Sequence, residues 1–283
     1  MRGAFIIAGF ALRESVRRRV FVVVALLTLA FLALYGLGVW QIAKQTDNIE
    51  GVNGVDGQTV AGATMLGLSM FATLFLGAIL AVFLTLGAVR GDAERGLLQP
   101  IIVRPITRAT FLAGRFAAAA SVCAVYVILV FLASVVLTGA FVDWWPDRLL
   151  APAIEMGAAV IVLAALALGG SVALASTANG IAIFMLFGAG LTAGLLGQIA
   201  EALSSHTLQD VSRVASWVLP FEALYQSGLN HITVDTFGFT RFAIDLGPFG
   251  GAESFGGFLW PYTVIYLAAV GVCSLWGFRR RDL

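Results

Sequence analysis

Charge is what this 283-residue chain has least of: Asp, Glu, Lys and Arg make up 12% of it, against roughly 25% in an ordinary soluble domain. Apolar residues make up 60%, in runs that recur along the whole chain, each long enough for the ~20 residues that cross a ~30 Å hydrocarbon layer. A soluble fold is thereby excluded, and the chain reads as an integral membrane protein. Cysteine is nearly absent too. Cys123 and Cys273 both sit in apolar runs, where cysteine behaves as a small hydrophobe, so neither a disulfide framework nor redox chemistry is expected. The two histidines, His206 and His231, have no ligand-like cluster around them and read as surface residues, so no metal site is expected. A phosphate loop of the form G-x-x-x-x-G-K-[ST] is missing, so the chain is not its own ATPase. No catalytic residue, bound cofactor or nucleic-acid partner is expected.

What is present is an all-α pattern of six spans: Val20 to Ile42, Met65 to Val89, Phe116 to Phe141, Met156 to Ser176, Ile181 to Ala200 and Phe258 to Phe278. Basic residues orient them. With the N-terminus inside, thirteen of the 17 basic residues fall on inner segments: Arg2, Arg13, Arg17, Arg18 and Arg19, then Arg90, Arg95, Arg104, Arg108 and Arg115, then Arg279, Arg280 and Arg281. Lys44, Arg148, Arg213 and Arg241 are left outside. The positive-inside rule therefore predicts cytoplasmic termini and a multi-pass protein of the plasma membrane. Trp40, Trp144, Trp145 and Trp260 fall at outer span ends, where indoles favour the headgroup layer.

Residues 1–19 carry Phe5, Ile6, Gly9, Leu12 and Val16 at helical spacing, with Arg13, Glu14, Arg17 and Arg18 on the remaining surface. The pattern predicts an amphipathic helix on the inner leaflet, a plain basic topology signal being the alternative. The first span is too long for a signal-peptide core and is expected to stay as an uncleaved anchor. Residues 20–283 form the six-span domain.

No ionisable residue falls within the spans so drawn. Such groups usually mark ion paths and proton relays, so a secondary carrier or membrane hydrolase is disfavoured. Two spans carry small-residue seams. Ser69, Thr73, Gly77, Ala81 and Thr85 recur every four residues in the second, and Gly190 and Gly194 have G-x-x-x-G spacing in the fifth. Small residues allow close backbone approach in lipid, which fits packing within the subunit, a dimer seam or the wall of a transport path. The link "STANG" holds Asn179 and Gly180, which suit a tight turn. The extracytoplasmic segment 201–257 contains Leu208, Val211, Val214 and Val218 at helical spacing ahead of Pro220, predicting an amphipathic helix. An irregular Gly- and Phe-rich cap is expected after it.

Between the second and third spans lies the hairpin 90–115, RGDAERGLLQPIIVRPITRATFLAGR. Asp92 suits a helix N-cap ahead of Ala93, Glu94 and Arg95, while Gly96, Pro100 and Pro105 interrupt the helix. Leu97, Leu98, Ile101, Ile102 and Val103 make its centre too apolar for a solvated loop. Two readings fit: docking into a groove on a soluble partner, or resting on the inner leaflet.

Three stretches together resemble the membrane subunits of the ABC-2 type family of ABC transporters, also called type V exporters: LRESVRRRVF before the first span, GDAERGLLQPIIVRPITRATFLAGR after the second, and the terminal FRRRDL. The middle stretch places Glu94, Gly96, Leu97, Pro105, Arg108, Gly114 and Arg115 on the family's pattern, and VLPFEALYQ is similar to its outer segment. The resemblance implies that the hairpin is a coupling helix seated in a separate ATP-binding subunit through Asp92, Glu94, Arg95, Gly96, Leu97, Leu98, Pro105 and Arg108. It further implies that ATP and Mg are held by that partner and that a second permease copy or a paralogue completes the assembly. The second and fifth spans are then expected to line a central path. The implied function is outward movement of a hydrophobic or amphipathic substrate; the alternative is a non-transporting anchor that passes mechanical work to extracytoplasmic partners.

Overall fold

The computed structural model describes residues 19–46, 57–86, 107–233 and 255–280. Among these the chain is all-α, with eight helices and no strand: α1 (Arg19–Thr46), α2 (Gly57–Thr85), α3 (Arg108–Val142), α4 (Leu150–Ala173), α5 (Ser176–Ala202), α6 (His206–Val218), α7 (Pro220–Thr233) and α8 (Leu259–Arg279). Six of them, α1 to α5 and α8, are long and apolar enough to cross a bilayer, in the number and order expected. Residues 1–18, with nearly all of the amphipathic helix expected over 1–19, most of the hairpin 90–115 and residues 234–254 lie outside the described residues.

The helices run further than the hydrophobic runs alone indicate, because capping decides their ends. Thr107 starts α3 eight residues before Phe116: its hydroxyl accepts a hydrogen bond from the Thr110 backbone N–H at 3.2 Å, satisfying one of the orphan donors of the first turn. At the far end Asp143 adopts a left-handed conformation with φ 55°, which stops the helix and turns the chain into Trp144 and Trp145. Trp144 lies over Gly62, where a Cβ would come within 2.6 Å of the indole. The link between α4 and α5 is shorter than expected. Ser176, Asn179 and Gly180 belong to α5 itself, and Asn179 is buried, its Nδ2 donating to the Ala167 carbonyl at 2.8 Å. The predicted turn residue is a staple between two helices, since a buried amide in lipid must find a partner.

α4 is the central helix. Buried side chains of α2, α3, α4 and α7 form the main core, including Leu66, Phe131, Met156, Leu163, Phe221 and Tyr225. The buried share of the most apolar stretch falls from 67% in α4 to 22% in α1 and 11% in α8, so the last two present most of their surface outward.

Between α5 and α8 the chain makes a re-entrant helical pair. α6 runs back along α5, with Ser212 Oγ donating to the Ala193 carbonyl at 2.8 Å. It occupies the stretch expected to be amphipathic. Only its serine edge is buried, at Ser212 and Ser216, while Val211, Val214 and Val218 point outward beside the exposed Asp210–Arg213 pair. The chain then turns at Pro220, whose missing N–H is no loss at the first position of a helix. At this turn the Leu219 N–H is bonded to Ala215 and the Glu222 N–H to Leu219. α7, which no sequence pattern announced, returns through the core, and its first turn packs Phe221 against Phe187 and Gly190 of α5; the Gly- and Phe-rich cap expected over 236–258 lies largely outside the described residues.

Candidate functional site

Of the residues expected to couple to a partner, Asp92, Glu94, Arg95, Gly96, Leu97, Leu98 and Pro105 lie outside the described residues. Arg108 lies within them and opens α3. Its Nη1 donates to the carbonyls of Phe278 at 2.9 Å and Arg279 at 3.2 Å. Carbonyls in the last turn of a helix have no intrahelical donor and carry the negative end of the helix dipole, so a guanidinium is well suited to close α8. The same guanidinium lies 5.6 Å from the Phe278 ring centroid, and that ring packs on Phe111 at 6.4 Å. Phe111, Leu112, Leu168, Val172 and Phe278 make a small separate core at this end of the bundle. Gly114 is buried, and Arg115 lies 5.5 Å from the Phe111 ring. The exit of the hairpin is thus fastened to the ends of α3, α4 and α8.

A second polar site lies between α4 and α7, toward the other end. Glu155 is the sixth residue of α4 and only 4% exposed. Ser227 Oγ donates to its Oε1 at 2.8 Å, and His231 Nε2 lies 3.4 Å from the same oxygen. Ser227 and His231 are four residues apart, hence on one face of α7. One residue before Ser227, Gln226 Nε2 donates to Glu222 Oε1 at 3.2 Å. Glu222 lies on α7, outside the six spans, and is fully buried; burial pushes its carboxyl up to about 8, the Gln226 bond opposing this. Among the described residues, Glu155 Oε2, Glu222 Oε2 and His231 Nδ1 have no hydrogen-bond partner. A buried carboxylate is costly without partners, and Ser227 and His231 supply them across the contact between α4 and α7.

This site corrects two expectations. The boundary drawn at Met156 cut Glu155 off the fourth span by one residue, and the span reaches back to Leu150. His231 approaches Glu155 while its side chain stays 28% exposed, and His206 is exposed at the start of α6. With Glu155 inside the fourth span, uncharged spans no longer disfavour a proton relay. Among the described residues no three His, Cys, Asp or Glu side chains gather as a metal site.

The small-residue seams lie inside the subunit. Ser69, Thr73, Gly77, Ala81 and Thr85 are all buried on α2, and a Cβ on Gly77 would meet Val127 of α3 at 2.5 Å and Val160 of α4 at 3.0 Å. Gly190 and Gly194 are also buried, and a Cβ on Gly190 would meet the Phe221 ring at 2.5 Å. The outward residues of α2 are Leu68, Phe75 and Phe83, and those of α5 include Ile181 and Met185. Phe75 packs on Phe184 and Phe187, which joins the two helices along one aromatic edge.

Six apolar spans, a helical pair between the last two and a loop exit fastened to two further helix ends describe a multi-pass membrane protein. The family model described as ABC-2 family transporter protein matches residues 5–283, nearly the whole chain, and the chain belongs to that family. It is a multi-pass membrane permease of an ABC transporter. No curated protein matches it.

Proposed function

We propose that this permease exports a hydrophobic or amphipathic substrate, driven by a separate ATP-binding subunit that holds ATP and Mg. The hairpin 90–115 seats in that subunit through Asp92, Glu94, Arg95, Gly96, Leu97, Leu98, Pro105 and Arg108. Both termini and the hairpin face the cytoplasm at the plasma membrane. The observation that carries the coupling reading is the fastening of Arg108 to the last carbonyls of α8. Motion imposed on the hairpin then passes to α3 and α8 together as a rigid body.

A second permease copy completes the path. The outward edge of Leu68, Phe75, Phe83 and Met185 supports placing that copy against α2 and α5. The buried stripe from Ser69 to Thr85 and the Gly190–Gly194 pair then act behind this edge, holding it in shape. An apolar wall matches a substrate with large apolar surface, because polar groups crossing it would lose their hydration without replacement. Crosslinking tests the coupling: a cysteine at Glu94, in a chain whose Cys123 and Cys273 are serine, is expected to form a disulfide with cysteines placed around the groove of the ATP-binding subunit. Crosslinks to lipid-facing positions alone would contradict it.

A further inference from the structure

Away from the α2 and α5 edge, an apolar groove of about 170 Å³ opens between α3, α4 and α8. Leu112 and Phe116 of α3, Leu168 of α4, and Leu267, Gly271 and Leu275 of α8 line it. Its one hydroxyl, Ser274, already donates to the Val270 carbonyl at 2.7 Å, so the lining seeks no polar partner. The floor is tight because α4 and α8 meet at Gly169, where a Cβ would come within 2.7 Å of Ser274 Oγ. At Gly271 a Cβ would meet nothing within 4 Å, which marks the open part of the groove.

Charge collects at its mouth. Gly271, Leu275 and Arg279 follow one another at four-residue steps, so the exposed Arg279 lies one turn beyond the lining on the same face of α8. Arg280 follows, exposed, its guanidinium 3.6 Å from the Trp276 ring centroid. Arg108, held on the α8 carbonyls, adds a third positive charge where α3 begins. An apolar slot of acyl-chain character that ends at arginines is complementary to one kind of molecule in a bilayer. We infer that the α3–α4–α8 groove binds an anionic phospholipid, with an acyl chain beside Gly271 and the headgroup phosphate at Arg279 and Arg280. Basic pockets between membrane helices recognise anionic headgroups through this pairing. The lipid covers a face of α8 that the subunit leaves largely exposed and braces the helix that Arg108 ties to the hairpin.

Native mass spectrometry of the full-length protein, exposed in detergent to equimolar dioleoyl phosphatidylglycerol and dioleoyl phosphatidylcholine, tests this. The wild type is expected to retain phosphatidylglycerol preferentially. Arg279→Gln and Arg280→Gln are expected to lower that preference by about fivefold each. Gly271→Leu, whose side chain enters open space, is expected to abolish retention of both lipids with an unchanged unfolding temperature. Equal retention of the two lipids by the wild type, or full retention by Gly271→Leu, would overturn the proposal. A disulfide between Gly271→Cys and Phe5→Cys, in a chain whose Cys273 is serine, would also overturn it, by showing the groove filled by the chain's own N-terminal segment.

Discussion

Arg108 Nη1 lies 2.9 Å from the carbonyl oxygen of Phe278, so the first residue of α3 closes the last turn of α8 across 170 positions of sequence. Arg108→Ala removes both carbonyl bonds and the contact over Phe278. Because Arg108 is exposed, the loss of stability is expected to be about 1 kcal/mol. The larger effect is on function. ATP-dependent transport is expected to fall while membrane insertion stays normal, and Arg108→Lys to recover part of it, since an ammonium keeps the charge and donors but has no planar group to lie near the Phe278 ring. Transport equal to wild type in Arg108→Ala would remove α8 from the coupling route.

Glu155 and His231 set the second expectation. Glu155→Ala takes the acceptor from the buried Ser227 and the partner from the half-buried His231, and is expected to cost about 1–3 kcal/mol, read from tryptophan fluorescence during thermal unfolding in detergent. Ser227→Ala is expected to cost about 1 kcal/mol. A double-mutant cycle of Glu155→Gln and His231→Gln should give a coupling of at least about 0.5 kcal/mol, and additive effects would show that the 3.4 Å approach carries no energy.

The Glu222 carboxyl links stability to pH. Its proton is held up to about pH 8 in the folded chain, against an ordinary value of 4.5. The folded state therefore binds more protons than the unfolded state between these values, so this residue's contribution to stability is fullest below about 4.5, falls as pH rises and is lost above about 8. Glu222→Gln keeps an acceptor for Gln226 and has no charge to bury. The unfolding temperature of the variant should rise relative to wild type as pH goes from 5 toward 8.5, roughly the span of that titration. A difference between the two that is constant with pH would contradict the assignment.

Two neighbouring glycines separate packing from helix propensity. Both Gly190→Ala and Gly188→Ala gain about 0.8–1.0 kcal/mol of helix propensity. At Gly188 the new methyl meets nothing within 4 Å, whereas at Gly190 it would lie 2.5 Å from the Phe221 ring. Gly188→Ala should be neutral or stabilising and Gly190→Ala destabilising by about 1–3 kcal/mol. Equal unfolding temperatures would mean that the tip of the re-entrant pair is not held against α5.

The six spans and their order were legible because each hydrophobic run exceeds what one bilayer crossing needs, and no capping detail alters that sum. Helix ends were less legible. Thr107 caps α3 from within the hairpin, and a polar Thr-Arg start carries no hydropathy signal. α6 was visible from its valine spacing, but periodicity cannot say which face is buried, and it is the serine edge that turns inward. α7 escaped because PFEALYQSGLNHIT mixes Glu222, Gln226 and His231 with apolar residues, a pattern shared by surface helices. Its signal was available in the four-residue spacing of Ser227 and His231, yet their partner Glu155 lies 72 positions from Ser227, a distance no local pattern spans. The small-residue stripe of α2 is buried, with Gly77 against α3 and α4 of the same subunit, neighbours that no local pattern names.

The most direct test of the central claim is ATP-driven transport by the permease reconstituted with its ATP-binding subunit in lipid vesicles, comparing wild type with Glu94→Arg. Glu94→Arg is expected to insert normally, to bind its partner less tightly and to lose ATP-dependent substrate movement. Undiminished transport by Glu94→Arg would contradict the coupling role of the hairpin.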